Sequence, residues 1–396
     1  MVTPMRLLVL TTSFPSTAYS RSGIFVRHLL EALPDAIQMT VLTPDLDRPG
    51  VFMGEDGRME VRGVRYAPRA WQTLAHGEGG IPVALRSRPW RWALVPVFCW
   101  AMFVQALRYG RRADLIHAHW SVCGVVAGLA GRLMGKPVVT TLRGSDVAAA
   151  EKSLLFRVAI FLCGLFCDRV VTVGQAMFRR VAAWLPGKSG LLAVIYNGVG
   201  ATFRGMAQKD ERRFFTVGVV GHLIAIKNVG MVVRAFAELA GERAARLLVV
   251  GGGPERATLE ELARRLGQNK RVSFTGAIPP DEVPSVLARC NALVLASSSE
   301  GRPNAVLEAM AAGVPVVASD IDGVREMIVH GERGLLFPVG DERQLAVCLR
   351  RLMDEPDLAR RLAANARQWV DDQGLTWENA ARRYAELYLG ILRRRR

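Results

Sequence analysis

Short apolar runs bounded by glycine, proline or polar residues recur along the chain. In the first half they fall at residues 6–12, 38–42, 114–117, 137–142 and 169–173. In the second half they fall at 214–220, 246–250, 292–296, 314–318 and 334–339. Continuous apolar runs of this length are expected of strands buried on both faces of a parallel sheet. Between them lie segments with helical spacing, at 24–33, 231–239, 341–354 and 356–373. The last segment, 377–396, is amphipathic, with Ala380, Tyr384, Leu387, Tyr388 and Ile391 on one side. Strands alternating with helices predict an α/β protein with helix-covered parallel sheets. Residues 45–71, rich in Gly, Asp and Arg, read as a loop or small hairpin.

Two segments are apolar beyond this pattern. Residues 90–109 carry an apolar core at 93–107, with Arg86, Arg88 and Arg91 before it and Arg108, Arg111 and Arg112 after it. A spanning helix needs roughly 20 apolar residues, and Pro96 and Gln105 interrupt this one. Three readings stay open: a buried domain helix, a membrane-docking surface with Trp90, Trp92 and Trp100 at headgroup level, or a true transmembrane helix. Residues 154–166 lead through Cys167 and Asp168 into a strand and read as a core helix.

A chain of 396 residues exceeds a typical single core, and the polar stretch 201–213 sets a domain boundary near residue 208. Half the residues are hydrophobic and 22% are charged, a globular composition. The formal charge of +16 calls for an anionic partner. No aromatic-flanked basic motif of a nucleic-acid module is present, so nucleic acid is not expected and a lipid surface plus an anionic ligand is preferred. The six cysteines lie mostly in apolar runs, as reduced core cysteines of a cytoplasmic protein do. Residues 1–14 lack the pattern of a signal peptide.

The candidate chemistry concentrates at 292–322. A buried strand is followed by the loop Ser297-Ser-Ser-Glu300-Gly-Arg-Pro303, then a helix with Asn304 as its expected N-cap and Gly313 as its stop. Such a loop lies at the carboxyl end of a parallel strand, where open α/β sheets bind ligands. The helix start offers N–H groups and a positive dipole end to an anion, framed by Glu300 and Glu308. Elsewhere, His117 and His119 share one face of a strand, but a metal would need a third ligand and none is in view. The Gly251–Gly253 cluster is no dinucleotide fingerprint, because Pro254 reads as a helix start and no acidic residue ends the next strand.

Glu300-Gly-Arg-Pro-Asn304, followed by Leu307-Glu308-Ala-Met-Ala-Ala-Gly313, resembles the E-x7-E signature of retaining glycosyltransferases of family 4. The resemblance extends to His117-Ala-His119-Trp120, to Gly135-Lys-Pro-Val-Val-Thr-Thr-Leu-Arg143-Gly144-Ser145-Asp146, and to Ile195-Tyr-Asn197-Gly198-Val199. It implies a GT-B fold, in which two Rossmann-like domains face across a cleft and the C-terminal helix crosses back to the first domain. The implied division is an acceptor-binding domain at 1–207, a nucleotide-sugar-binding domain at 208–374 and the returning helix at 375–396. Carried over by motif, the catalytic positions are Glu300, His119, Arg143 and Asp146. The donor-binding positions are Glu308, Lys227, His222, Gly301, Arg302, Pro303, Asn304, Ala305, Gly221, Ile278 and Gly23. Two positions depart from the family pattern: Arg143 stands where a His is usual, and His222 where an Arg is common. Arginine donates hydrogen bonds but is no base near neutral pH.

The resemblance implies a retaining, metal-independent transferase without a cofactor, taking a hexosyl group from a nucleoside diphosphate sugar to an acceptor hydroxyl. The basic, tryptophan-flanked first domain points to a lipid-linked glycan acceptor in bacterial envelope or exopolysaccharide assembly, and to a cytoplasmic protein peripheral on the inner membrane face. Another reaction of the same fold (sugar-nucleotide epimerase or phosphorylase) and a non-catalytic scaffold stay open at this point.

Overall fold

The computed structural model describes residues 4–15, 23–44, 51–53, 57–75, 80–204, 214–240 and 244–395. The boundary placed near residue 208 lies outside the described residues. The chain divides into two compact units. The first comprises the N-terminal strand, Ser22–Gly198 and Trp377–Arg396; the second is built on Val199–Thr376.

The first unit holds eight strands: β1 (Met5–Leu10), β2 (Ile37–Pro44), β3 (Val51–Met53), β4 (Met59–Val64), β5 (Leu115–His119), β6 (Val138–Leu142), β7 (Arg169–Thr172) and β8 (Leu192–Val194). Their order is β3-β4-β2-β1-β5-β6-β7-β8. Every pair is parallel except β3 with β4, so the hairpin alternative for residues 45–71 holds at 51–64. The run direction reverses between β1 and β5, which makes their carboxyl ends the crevice of this sheet.

One face of this sheet is covered by the helices Leu94–Gly110, Ser121–Met134 and Leu154–Phe166. Glycines set their close packing. A Cβ at Gly124 would lie 2.7 Å from Cys163 Sγ, and one at Gly128 would lie 2.6 Å from Phe166 Cβ. The expectation of a core helix at 154–166 needs correction. Only Ile160, Cys163 and Gly164 are buried, because the segment is apolar all round but has the sheet on one side alone. Residues 90–109 divide similarly: Leu94, Phe98, Met102 and Ala106 pack inward while Trp90, Trp92 and Trp100 stand exposed.

The other face is covered by the helices Ile24–Glu31 and Trp377–Arg395. The terminal helix buries Tyr384 and Tyr388 against the sheet. Its basic end is not a wholly solvated tail: Arg395 bonds the Asp168 carboxylate at 2.7 Å and the Gly135 carbonyl at 3.1 Å.

The second unit is an all-parallel sheet of β9 (Phe215–Val220), β10 (Ala245–Val250), β11 (Val272–Gly276), β12 (Ala292–Leu295), β13 (Val316–Ser319) and β14 (Leu335–Phe337). Its order is β11-β10-β9-β12-β13-β14, so the reversal falls between β9 and β12. The loops after these two strands are therefore neighbours, although one begins at Gly221 and the other at Ala296.

Candidate active site

In the second unit, the loop after β9 turns through Gly221 and a 3-10 turn at Ala225–Lys227. Backbone bonds hold it against the next loops. Gly221 N donates to Val250 O at 2.9 Å, and Leu223 N to Gly252 O at 2.8 Å. Ser298 N donates to Ile226 O at 2.9 Å, which ties this loop to the one after β12. Glycine is required at Gly251, where φ is 141° and a Cβ would lie 1.8 Å from Gly221 O. Gly323 allows a similar approach: its Cβ would lie 2.6 Å from Glu300 O.

The Lys227 ammonium and the Glu300 carboxylate form an ion pair at this junction, and Ser297 Oγ donates to the same carboxylate oxygen at 2.8 Å. The lysine is a quarter exposed and the glutamate less. Sequence spacing cannot show this pair, because the partners lie on different loops and only the strand order brings them together. Pro303 occupies the N-cap position and Asn304 is the first helical residue, one position later than expected for a cap. The helix Asn304–Ala311 is buried except along Asn304, Ala305 and Glu308. That stripe follows helical spacing and leads from the first turn to a carboxylate one turn in. At the far end Gly313, at φ 69°, terminates the helix, with Val314 N donating to Ala309 O at 2.9 Å.

Gly301, Arg302 and Pro303 are buried. The Arg302 guanidinium is occupied by Glu326, at 3.9 Å, and lies 5.9 Å from the Trp369 ring centroid. With its side chain 3% exposed, what Arg302 can offer a ligand is its backbone. His222 is half-buried beside Gly221, and Ile278 half-buried just past the end of β11.

In the first unit, a second polar cluster lies at the carboxyl ends of β5 and β6. The Arg143 guanidinium is buried; it donates to His119 Nδ1 at 3.0 Å and to Asn197 Oδ1 at 2.8 Å, and stacks 4.5 Å over the Phe25 ring. Because guanidinium only donates, His119 Nδ1 accepts and its proton sits on Nε2. Burial pushes His119 well below its usual value, reinforced by His117 and Arg143, so the ring is neutral. His117 lies 4.3 Å away between ring centroids and is lowered to about 3 by burial and then by Arg143. It is held by Tyr388 at 2.7 Å on Nδ1 and by Thr141 at 2.8 Å on Nε2. Helical spacing places Tyr384 and Tyr388 on the apolar side of the terminal helix, but it cannot show that Tyr388 meets His117. Gly23, at φ 74°, lies over the turn after β1, where a Cβ would sit 2.1 Å from Ser13 O.

Asp146 is buried, and its carboxylate accepts from Ser121 N at 3.0 Å and Arg143 N at 3.3 Å, capping two helices. Trp120, just before one of them, is held at φ 68°, a costly conformation for tryptophan. Burial pushes the Asp146 carboxyl up to about 7, against N–H and hydroxyl groups that favour its charged form. A folded value above the unfolded one means this residue's stabilising share is complete below about pH 4 and lost as pH rises to about 7. Asp146→Asn is expected to remove that decline. Thermal unfolding across pH 4 to 7 checks it: equal slopes for both proteins would contradict the assignment.

Comparison with known proteins bears on both units. Residues 205–369 match the sequence model of glycosyl transferases group 1, and residues 22–202 match that of glycosyltransferase family 4. An N-acetyl-alpha-D-glucosaminyl L-malate synthase from Bacillus anthracis is 30% identical over 296 residues, covering 71% of this chain and 75% of that protein. The chain belongs to glycosyltransferase family 4. Glycogen synthase from Mycobacterium tuberculosis is 27% identical and covers 98% of this chain and 95% of the relative. Among solved structures, the sucrose-phosphate synthase of Thermosynechococcus elongatus aligns with a TM-score of 0.81 at 23% identity, over 98% of this chain and 99% of that one. The Anabaena protein HepE, solved with UDP and glucose, aligns at 0.75 and 21% identity, over 98% and 100%. The fold of this glycosyltransferase is GT-B, as the sequence resemblance implied.

Proposed function

We propose that this glycosyltransferase is a retaining, metal-independent enzyme that moves a hexosyl group from a nucleoside diphosphate sugar to an acceptor hydroxyl. The observation that carries the reading is the Lys227–Glu300 pair at the β9/β12 reversal, beside the Asn304, Ala305 and Glu308 stripe. The relatives' chemistry supports the donor class, since HepE was solved with UDP and glucose. In this proposal the diphosphate takes its positive charge from Lys227 and from the first-turn N–H groups of the Asn304 helix. Lysine is a compact cation on a flexible stem, so it can leave Glu300 for an incoming phosphate. Glu308 accepts hydrogen bonds from the ribose hydroxyls, and Glu300 from the transferred sugar. Gly221, His222 and Ile278 line the remaining donor side.

The chemistry asked of these groups is electrostatic stabilisation of the departing diphosphate and positioning of the acceptor. The leaving phosphate takes the acceptor's proton on the face it departs from, so no carboxylate nucleophile is required. In the first unit, Arg143 locks His119 in the Nε2–H form, which makes that ring a donor rather than a base. His119 and Arg143 are assigned to holding substrate hydroxyls, with Asp146 as a positioning residue for the helices that carry them. The acceptor is a lipid-linked glycan of bacterial envelope or exopolysaccharide assembly, met by a protein peripheral on the inner membrane face.

Two assays test this. Transfer is expected to persist in excess EDTA, and a complete loss restored by Mg²⁺ or Mn²⁺ would refute the charge assignment to Lys227 and the helix. Nuclear magnetic resonance of the fresh product is expected to show the anomeric configuration of the donor, and an inverted linkage would refute retention.

A further inference from the structure

The first unit carries an apolar surface that the transfer reaction does not use. Among the described residues, twelve of the eighteen large hydrophobic side chains that stand strongly exposed lie at 89–110, 121–134 and 154–166. Trp100 is 66% exposed, and Leu133 and Leu154 are each 73% exposed. The three helices pack side by side on one face of the sheet, so their exposed apolar side chains all lie on that outer side of the unit. An apolar face of this extent marks an interaction site.

Charge selects the partner. Residues 80–112, 121–136 and 154–167 contain nine arginines and lysines and not one aspartate or glutamate. At the end where the first two helices meet, an open groove of about 430 Å³ is lined by Leu107, Leu133 and Met134 together with Arg111 and Lys136. The helices converge there because a Cβ at Gly110 would already lie 2.5 Å from the Met134 methyl carbon. Apolar walls with two cations at the rim suit an acyl chain and an anionic headgroup. A second copy of this chain is disfavoured, since a self-complementary contact would set an all-basic surface against itself.

We propose that these three helices form one docking face for an anionic bilayer, with Arg111 and Lys136 at the headgroup phosphates. This rests on, and deepens, the peripheral location given above. It extends the face beyond residues 90–109 to the helices Ser121–Met134 and Leu154–Phe166.

Vesicle sedimentation tests it on the full chain, with no donor or acceptor present. The protein is expected to pellet with vesicles containing phosphatidylglycerol, to release at about 1 M salt, and to ignore pure phosphatidylcholine. Arg111→Gln with Lys136→Gln is expected to weaken partitioning roughly twenty-five-fold, at about fivefold per cation removed. Leu133→Ser with Leu154→Ser is expected to weaken it at least about tenfold. Equal binding to both vesicles, or unchanged partitioning of either double variant, would overturn the proposal. So would a dimer that forms with concentration and is abolished by Leu133→Ser with Leu154→Ser. Nucleoside diphosphate affinity of the same variants is expected to stay at the wild-type value, and unchanged thermal unfolding of the first unit certifies folding. A failure of the transfer reading would leave vesicle binding intact, so the two outcomes are separable.

Discussion

Glu308→Ala is expected to weaken nucleoside diphosphate binding by about ten- to a hundredfold, while Glu300→Ala leaves it unchanged or tightened and lowers turnover. The magnitude follows from hydrogen bonds to a charged group, worth about 1.5–3 kcal/mol. The contrast follows from the two environments. Glu308 is the carboxylate on the single unburied stripe of the Asn304 helix, one turn from the N–H groups that would meet the diphosphate. Glu300 instead neutralises Lys227 and takes a hydrogen bond from Ser297. Removing it frees the cation for phosphate but deletes the group assigned to the transferred sugar. Calorimetric titration of each variant, beside initial rates, separates the roles. If Glu300→Ala lost the nucleotide and Glu308→Ala kept it, the assignment would be reversed. If neither variant changed binding or rate, the β9/β12 junction would not be the donor site.

Gly251→Ala is expected to cost at least about 3 kcal/mol of stability and to abolish nucleotide binding. Its Cβ would sit 1.8 Å from Gly221 O, a backbone atom with no flexible side chain to yield, and φ of 141° is strained for alanine. Relief would require parting the loops after β9 and β10, and the former carries Lys227. Gly390→Ala supplies the opposite sign from the same chemistry. That glycine lies on the exposed side of the terminal helix with nothing within 4 Å of a Cβ, so alanine is expected to stabilise by about 0.5–1 kcal/mol. Denaturant unfolding of the two variants checks the pair. A mild effect at Gly251, with nucleotide affinity retained, would mean the loops do not depend on that close approach.

Strands buried on both faces were legible because each reads as an apolar run, and β12 and β13 overlap the runs at 292–296 and 314–318. β8 and the hairpin strand β3, three residues each, were not among the apolar runs read as strands from the sequence. The helix Leu154–Phe166 shows the limit of hydrophobicity as a guide to burial. A segment apolar all round says that it avoids water, not that the protein supplies all its neighbours. At the site, Glu300, Glu308 and Lys227 were visible through motif resemblance, but their grouping follows from the order of six strands. The Arg143–His119 bond illustrates the same point. Its partners lie on adjacent strand ends, and which nitrogen of His119 keeps the proton depends on a donor that spacing cannot identify.

The central claim is acceptor-dependent transfer from a nucleoside diphosphate sugar. Mass spectrometry of reactions pairing a panel of nucleotide sugars with lipid-linked acceptors tests it directly, with released nucleoside diphosphate measured in parallel. The expected result is an acceptor heavier by one hexosyl unit, formed with one donor and matched mole for mole by released diphosphate. Donor hydrolysis independent of acceptor, or donor binding without turnover across the whole panel, would contradict it.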